Sequence, residues 1–98
     1  MAEWKVERAG DMALQLSGVL KFSDITAIRE KVDQLLGEMS GEVAVDFSGV
    51  SRVDSSALSL WLCSMRRAEL LGLTLKPVNV PSEMQSIAGL VGLEQCFS

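Results

Sequence analysis

The stretch Val43-Ala44-Val45-Asp46-Phe47-Ser48-Gly49-Val50-Ser51-Arg52-Val53-Asp54-Ser55-Ser56-Ala57-Leu58 changes its hydrophobic period partway along. Glu42 to Phe47 reads as a strand, with Val43, Val45 and Phe47 on one face and Ala44 on the other. A strand that is apolar on both faces, with only Asp46 polar near its end, belongs inside a sheet. Ser48 to Arg52 reads as a short polar turn, and Asp54-Ser55-Ser56 as a helix start with Asp54 as its cap. A helix pattern then runs from Ser55 to Leu71 and stops at Gly72. A strand feeding a helix that leads to a further strand is a parallel crossover unit.

The rest of the chain supports the same architecture. Trp4 to Arg8 and Met12 to Ser17 alternate around the turn signal Ala9-Gly10-Asp11, which predicts an antiparallel hairpin. Met12, Leu14 and Leu16 share one face of its second strand, and Gly18 breaks the pattern. Ser23 is the expected cap of a first helix, with Asp24 in its first turn. Phe22, Ile25, Ile28, Val32, Leu35 and Leu36 form the apolar stripe of that helix, which ends between Gly37 and Gly41.

In the second helix, Ala57, Leu58, Trp61, Met65 and Ala68 form the expected core face. Ser55, Ser56, Ser59, Cys63, Arg66 and Arg67 lie opposite, and Leu60 and Leu70 also fall outside the core face. Leu73 to Val78 is a fourth strand, with Pro77 at its end or on a sheet edge. Ser82 and Gln85 fit a capping box that opens a last helix, with Met84, Ile87, Ala88 and Val91 inward and Gly92-Leu93 at its end. The order β-β-α-β-α-β-α predicts one α/β domain over residues 1–98 on a four-stranded mixed sheet.

Composition narrows the functions this domain can serve. The 98 residues are 48% hydrophobic and 22% charged, as in ordinary single domains. A net charge of −4 argues against nucleic acid or an anionic membrane surface as a direct partner. With no histidine, the commonest general base and metal ligand are missing, and no cofactor is expected. Cys63 and Cys96 match no metal or redox spacing, which fits a reduced, cytoplasmic setting. The N-terminal residues carry no signal-peptide pattern. The longest uncharged segment, Ser55 to Met65, is well short of the roughly 20 residues that span a bilayer. Work at a membrane would therefore depend on a protein that brings the domain there.

The candidate site is Asp54-Ser55-Ser56. It follows a strand, at the sheet edge where open α/β folds place their sites. Free N–H groups and the helix dipole favour negative charge there, as on a phosphoserine, although Asp54 beside it repels one. An enzyme reading is weaker, since Ser55 has no histidine to activate it and there is no Walker-type phosphate loop. The alternative is a plain helix start rich in small polar residues. Asp46 and Asp54 make a poor carboxylate pair, since one ends a strand and the other caps a helix.

The segment Asp46-Phe47-Ser48-Gly49-Val50 with Val53-Asp54-Ser55-Ser56-Ala57-Leu58 resembles the central motif of STAS domains. Leu16 to Leu20, Ala27 to Glu30 and Pro81 to Leu93 resemble further parts of that family, so the likeness covers nearly the whole chain. The resemblance implies the STAS fold and a protein partner in place of chemistry.

In anti-sigma-factor antagonists of the family, the hydroxyl residue after the motif Asp, here Ser55, is phosphorylated by a partner kinase. Ala57 and Lys21 depart from that branch, which has glycine and an acidic residue at these positions. The Pro81 to Leu93 tail is closer to free-standing STAS subunits of Mla-type phospholipid ABC transporters. There the resemblance implies a non-catalytic subunit that binds the cytoplasmic ATPase through the second helix and supports its assembly and activity. On this reading Ser55 is the central contact, with Asp54, Ser56, Ser59, Cys63 and Arg66 around it.

Overall fold

Strands β1 (Trp4–Arg8) and β2 (Ala13–Leu20) form the antiparallel hairpin, with Val6 opposite Leu16. Helix α1 (Ile25–Leu36) returns the chain to β3 (Glu42–Val53), which lies parallel to β2. Helix α2 (Ser56–Leu71) leads to β4 (Thr74–Val78), parallel to β3, and α3 (Ser82–Leu90) follows. The sheet order is β1-β2-β3-β4, so β3 is internal and the mixed four-stranded α/β architecture is as expected. This computed structural model describes residues 3–97.

Leu14, Leu16 and Leu20 of β2 and Val43, Val45 and Phe47 of β3 form one wall of the core. Ile28, Val32 and Leu36 of α1 and Ala57, Leu60, Trp61 and Ala68 of α2 form the other. The Trp61 ring meets Phe47 edge-on at 5.7 Å and stacks on Phe97 at 5.9 Å, favourable arrangements for aromatic pairs. Gly72 caps α2 in the left-handed conformation, as its place after Leu71 predicts.

Both central strands are longer than their residue pattern suggests. β3 continues through the polar Ser48–Arg52 segment to Val53. Only β2 flanks this second half, because the pairing with β4 stops at Asp46 and Val78. Polar residues are tolerated there because the strand is half open. β2 likewise runs through Gly18 to Leu20, with register irregularities on both sides of Ser17-Gly18. Met12 lies before the strand and is exposed.

At Gly18 the backbone just before β1 lies directly against β2. Its φ is +85°, and an added Cβ would lie 2.0 Å from the Glu3 carbonyl oxygen. That carbonyl accepts a hydrogen bond from the Val19 N–H at 2.9 Å.

The helices depart from the sequence pattern at their ends and in rotation. Phe22–Asp24 forms a 3-10 turn ahead of α1, so Asp24, not Ser23, is the cap residue, and no side chain caps the helix. The tighter turn carries Phe22 off the α-helical stripe and leaves it 78% exposed. In α2, Leu60 is buried and Met65 exposed, the reverse of the expected arrangement.

The first half of α2 has no charges to fix its rotation, and packing against α1 draws in Leu60 and Ser64. Ser64 Oγ donates to the Leu60 carbonyl at 2.8 Å, which satisfies this buried hydroxyl within the helix. Pro81, not Ser82, caps α3, and Gln85 Nε2 reaches the Val80 carbonyl at 3.3 Å, so no capping box forms. The helix ends at Leu90, and Val91 is 60% exposed at its C-cap, not inward.

Gly18→Ala should destabilise the fold by about 2 kcal/mol or more, through positive-φ strain and the clash with Glu3. Thermal unfolding should register this as a fall in Tm of roughly 10 °C for a domain of this size. An unchanged Tm would show that the hairpin can shift to admit a Cβ.

Candidate functional site at the start of the second crossover helix

Asp54 follows directly after β3, and its carboxylate organises the residues around it. Oδ1 accepts the Ser56 backbone N–H at 2.9 Å and also the Ser56 hydroxyl. Oδ2 accepts the Phe22 N–H at 2.9 Å. The Asp54 N–H in turn donates to the Leu20 carbonyl at 3.1 Å, next to the β2–β3 pairing of Leu20 with Val53. One side chain thus satisfies an orphan donor of α2 and fixes the turn that leads into α1. Burial works against its charge, but the donors from Ser56 and Phe22 outweigh it and hold the carboxyl below the usual range.

The residues expected at the site separate into two groups. Ser55 is exposed, and Ser59, Cys63 and Arg66 continue its line along the outer side of α2. Ser56 turns inward and is buried, contrary to its expected outward position, because its hydroxyl is engaged by Asp54. Asp54 is half-buried and holds the helix start in place. The structure therefore brings Ser55, Ser59, Cys63 and Arg66 to one accessible face.

An open groove runs beside Ser55, bounded by Phe22 and Ile25 on one side and Ile87 and Val91 on the other. Leu58, Ser59 and the Asp54-Ser55-Ser56 segment also line it. Helical periodicity alone places Phe22 and Val91 inside the core. Their exposure gives the hydroxyl face two apolar flanks that periodicity does not reveal. The signal that could have found them is their position, each just outside a regular helix, where a helical stripe no longer dictates direction.

Asp46 does not join this site. Its Oδ1 accepts the Ser48 N–H at 2.8 Å and the Asn79 amide at 3.1 Å, tying β3 to the residue after β4. The Asn79 contact first, then the Ser48 N–H, holds the Asp46 carboxyl below its usual range. Cys63 and Cys96 are free thiols, Cys63 exposed and Cys96 packed against the core. Among the described residues no helix is long and apolar enough to cross a membrane.

The fold is shared with anti-sigma factor antagonists. The structure of the antagonist SpoIIAA in its unphosphorylated form matches 97% of this chain and 85% of its own, at TM-score 0.69 and 21% identity. The Bacillus cell fate determinant SpoIIAA in its phosphorylated form matches 97% and 88%, at TM-score 0.67 and 21% identity. An anti-sigma factor antagonist from Mycobacterium paratuberculosis matches 96% and 80%, at TM-score 0.70 and 16% identity. No curated protein sequence matches the chain. The structural likenesses, all at about one-fifth identity or less, place the chain in the same fold as these antagonists. The chain belongs to the STAS family through the model described as "Mlab, STAS domain", which matches residues 4–97.

Ser55, not Asp54, occupies the N-cap position of α2, yet Asp54→Ala should still cost about 1–2 kcal/mol, since it removes the acceptor of the Ser56 N–H and the Phe22 tether together. The lowered carboxyl contributes stability that is complete above the unfolded value near about pH 4 and is lost as pH falls through the folded value. Urea unfolding of the wild type and the variant should therefore converge in stability below about pH 4. A gap that stays constant down to about pH 2 would contradict this role of the Asp54 charge.

Proposed function

We propose that this domain is a non-catalytic subunit that binds the cytoplasmic ATPase of a lipid-transport ABC system through the outer face of α2. The observation that carries this reading is the exposed Ser55-Ser59-Cys63-Arg66 line, flanked by Phe22 and Val91, in a chain that matches the Mlab STAS model. Contact fits the geometry better than chemistry. Ser55 has no base beside it, and the nearest carboxylate is occupied by three donors. Apolar flanks around a small hydroxyl suit a partner that inserts a side chain into the groove. In this role the domain supports assembly and activity of the ATPase, and so lipid traffic that maintains outer-membrane asymmetry. It would stay cytoplasmic and meet the inner membrane only through its partner.

Ser55→Arg should abolish co-purification of the cognate ATPase. Because Ser55 is exposed and makes no side-chain cap bond, stability should change by less than about 0.5 kcal/mol. Undiminished capture of the ATPase by the folded variant would overturn the proposal.

The second reading is an anti-sigma-factor antagonist switched by phosphorylation of Ser55. It is favoured by the open position of the Ser55 hydroxyl at a helix N-terminus, where the dipole stabilises an anion. This reading requires that a cognate serine kinase with ATP add one phosphate at Ser55. Intact-mass spectrometry of the wild type and Ser55→Ala should then differ by one phosphate, and no transfer to the wild type would eliminate the switch.

A further inference from the structure

The two edges of the sheet are not equally protected. At β4, the Thr74 N–H donates inward to the Gly41 carbonyl at 3.0 Å, so strand alternation turns the backbone nitrogens of Leu75 and Pro77 outward. Pro77 has no N–H to offer, and this edge cannot pair along its length. At β1, the Glu3 carbonyl accepts from Val19 at 2.9 Å and Ala9 donates to Ala13 at 2.8 Å. Odd-numbered residues therefore face β2, and the N–H and C=O groups of Trp4, Val6 and Arg8 face outward. Among the described residues no strand covers them.

We propose that a second copy of this chain adds to the free edge of β1 in antiparallel register about a Val6–Val6 centre. The sequence of the edge is complementary to itself in that register alone. Trp4 then lies opposite Arg8, and Lys5 opposite Glu7, twice each by symmetry. The Val6 pair and the two Trp4–Arg8 pairs fall on the outward-facing residues, so about six inter-strand hydrogen bonds form.

Lys5 and Glu7 fall on the non-hydrogen-bonded positions, where side chains approach closest. Both are exposed, and within one chain they already pair at 3.4 Å, so their charged ends share one face of the strand. Charged edge residues ordinarily prevent strand addition. Here the opposite signs at positions 5 and 7 give a strand carrying a single sign of charge no net gain, whereas a second copy matches both positions.

The two charges provide a stringent test. Lys5→Glu and Glu7→Lys should each weaken self-association in sedimentation equilibrium by roughly tenfold or more, because like charges then face each other twice. An equimolar mixture of the two variants should dimerise, since the two acidic side chains on the edge of one would meet the two basic side chains on the edge of the other. The double variant should self-associate like the wild type. Circular dichroism should show all of them folded, as both side chains are solvent-exposed. A wild-type protein that stays monomeric at millimolar concentration would overturn the proposal. So would variants that associate unchanged, or a mixture no more associated than its components.

Discussion

The carboxylate of Asp54 is the constraint on which the functional end of this domain depends. A helix start leaves backbone N–H groups without partners, and a chain entering α1 from a strand must be turned at a defined place. Asp54 meets both needs with its two oxygens, one on Ser56 and one on Phe22. Phe22 lies 32 residues away in sequence and Ser56 only two, so a local contact also acts as a long-range tie. The burial that would raise the carboxyl's pKa is offset by the donors gathered around it. The same contacts leave Asp54 with no free role as a base and turn Ser56 inward, so that Ser55 is the accessible hydroxyl.

From that tie follows the shape of the groove. Holding the Phe22 N–H draws the chain into a 3-10 turn and swings the Phe22 ring out toward solvent. On the other side, α3 ends at Leu90 and leaves Val91 at the rim. A serine set between two exposed apolar side chains offers a partner both apolar area and a hydrogen-bonding group in one groove. This is a physical reason to favour a protein contact at this place, and the chain's membership in the STAS family points the same way.

Element order, the internal position of β3 and the helix stop at Gly72 can be read from residues alone, because each rests on local period or on one residue's backbone preference. Local period places Ser55 and Ser56 outward alike, so the choice of Ser55 rests on the family resemblance, and only the Asp54 contact that turns Ser56 inward separates the two. What escapes is decided by tertiary contact. The second half of β3 looks like a turn because Ser48, Gly49 and Ser51 have weak strand preference, and only pairing with β2 makes it a strand. The rotation of α2 is undetermined because an uncharged helix has no polar stripe, and α1 decides between Leu60 and Met65. Phe22 and Val91 point inward only if a helical period is extended past the ends of their helices, where it no longer holds.

The sheet and the helix start serve different demands. Because β1 joins antiparallel and β2 to β4 run parallel, the fold has one edge formed by a hairpin and one formed by a crossover strand. A crossover strand can be blunted by a proline without disturbing its inner hydrogen bonds, provided the proline falls on an outward-facing residue, as Pro77 does. The hairpin edge has no such proline, and its protection rests on charges whose signs alternate about Val6. Alternation of this kind matches a copy of itself and gives a strand of single-sign charge no net gain. The proposed self-pairing therefore uses backbone groups at β1, whereas the proposed partner contact uses side chains on α2. Substitutions at Lys5 or Glu7 are thus expected to act on a different association from substitutions at Ser55, and the two surfaces can be varied independently.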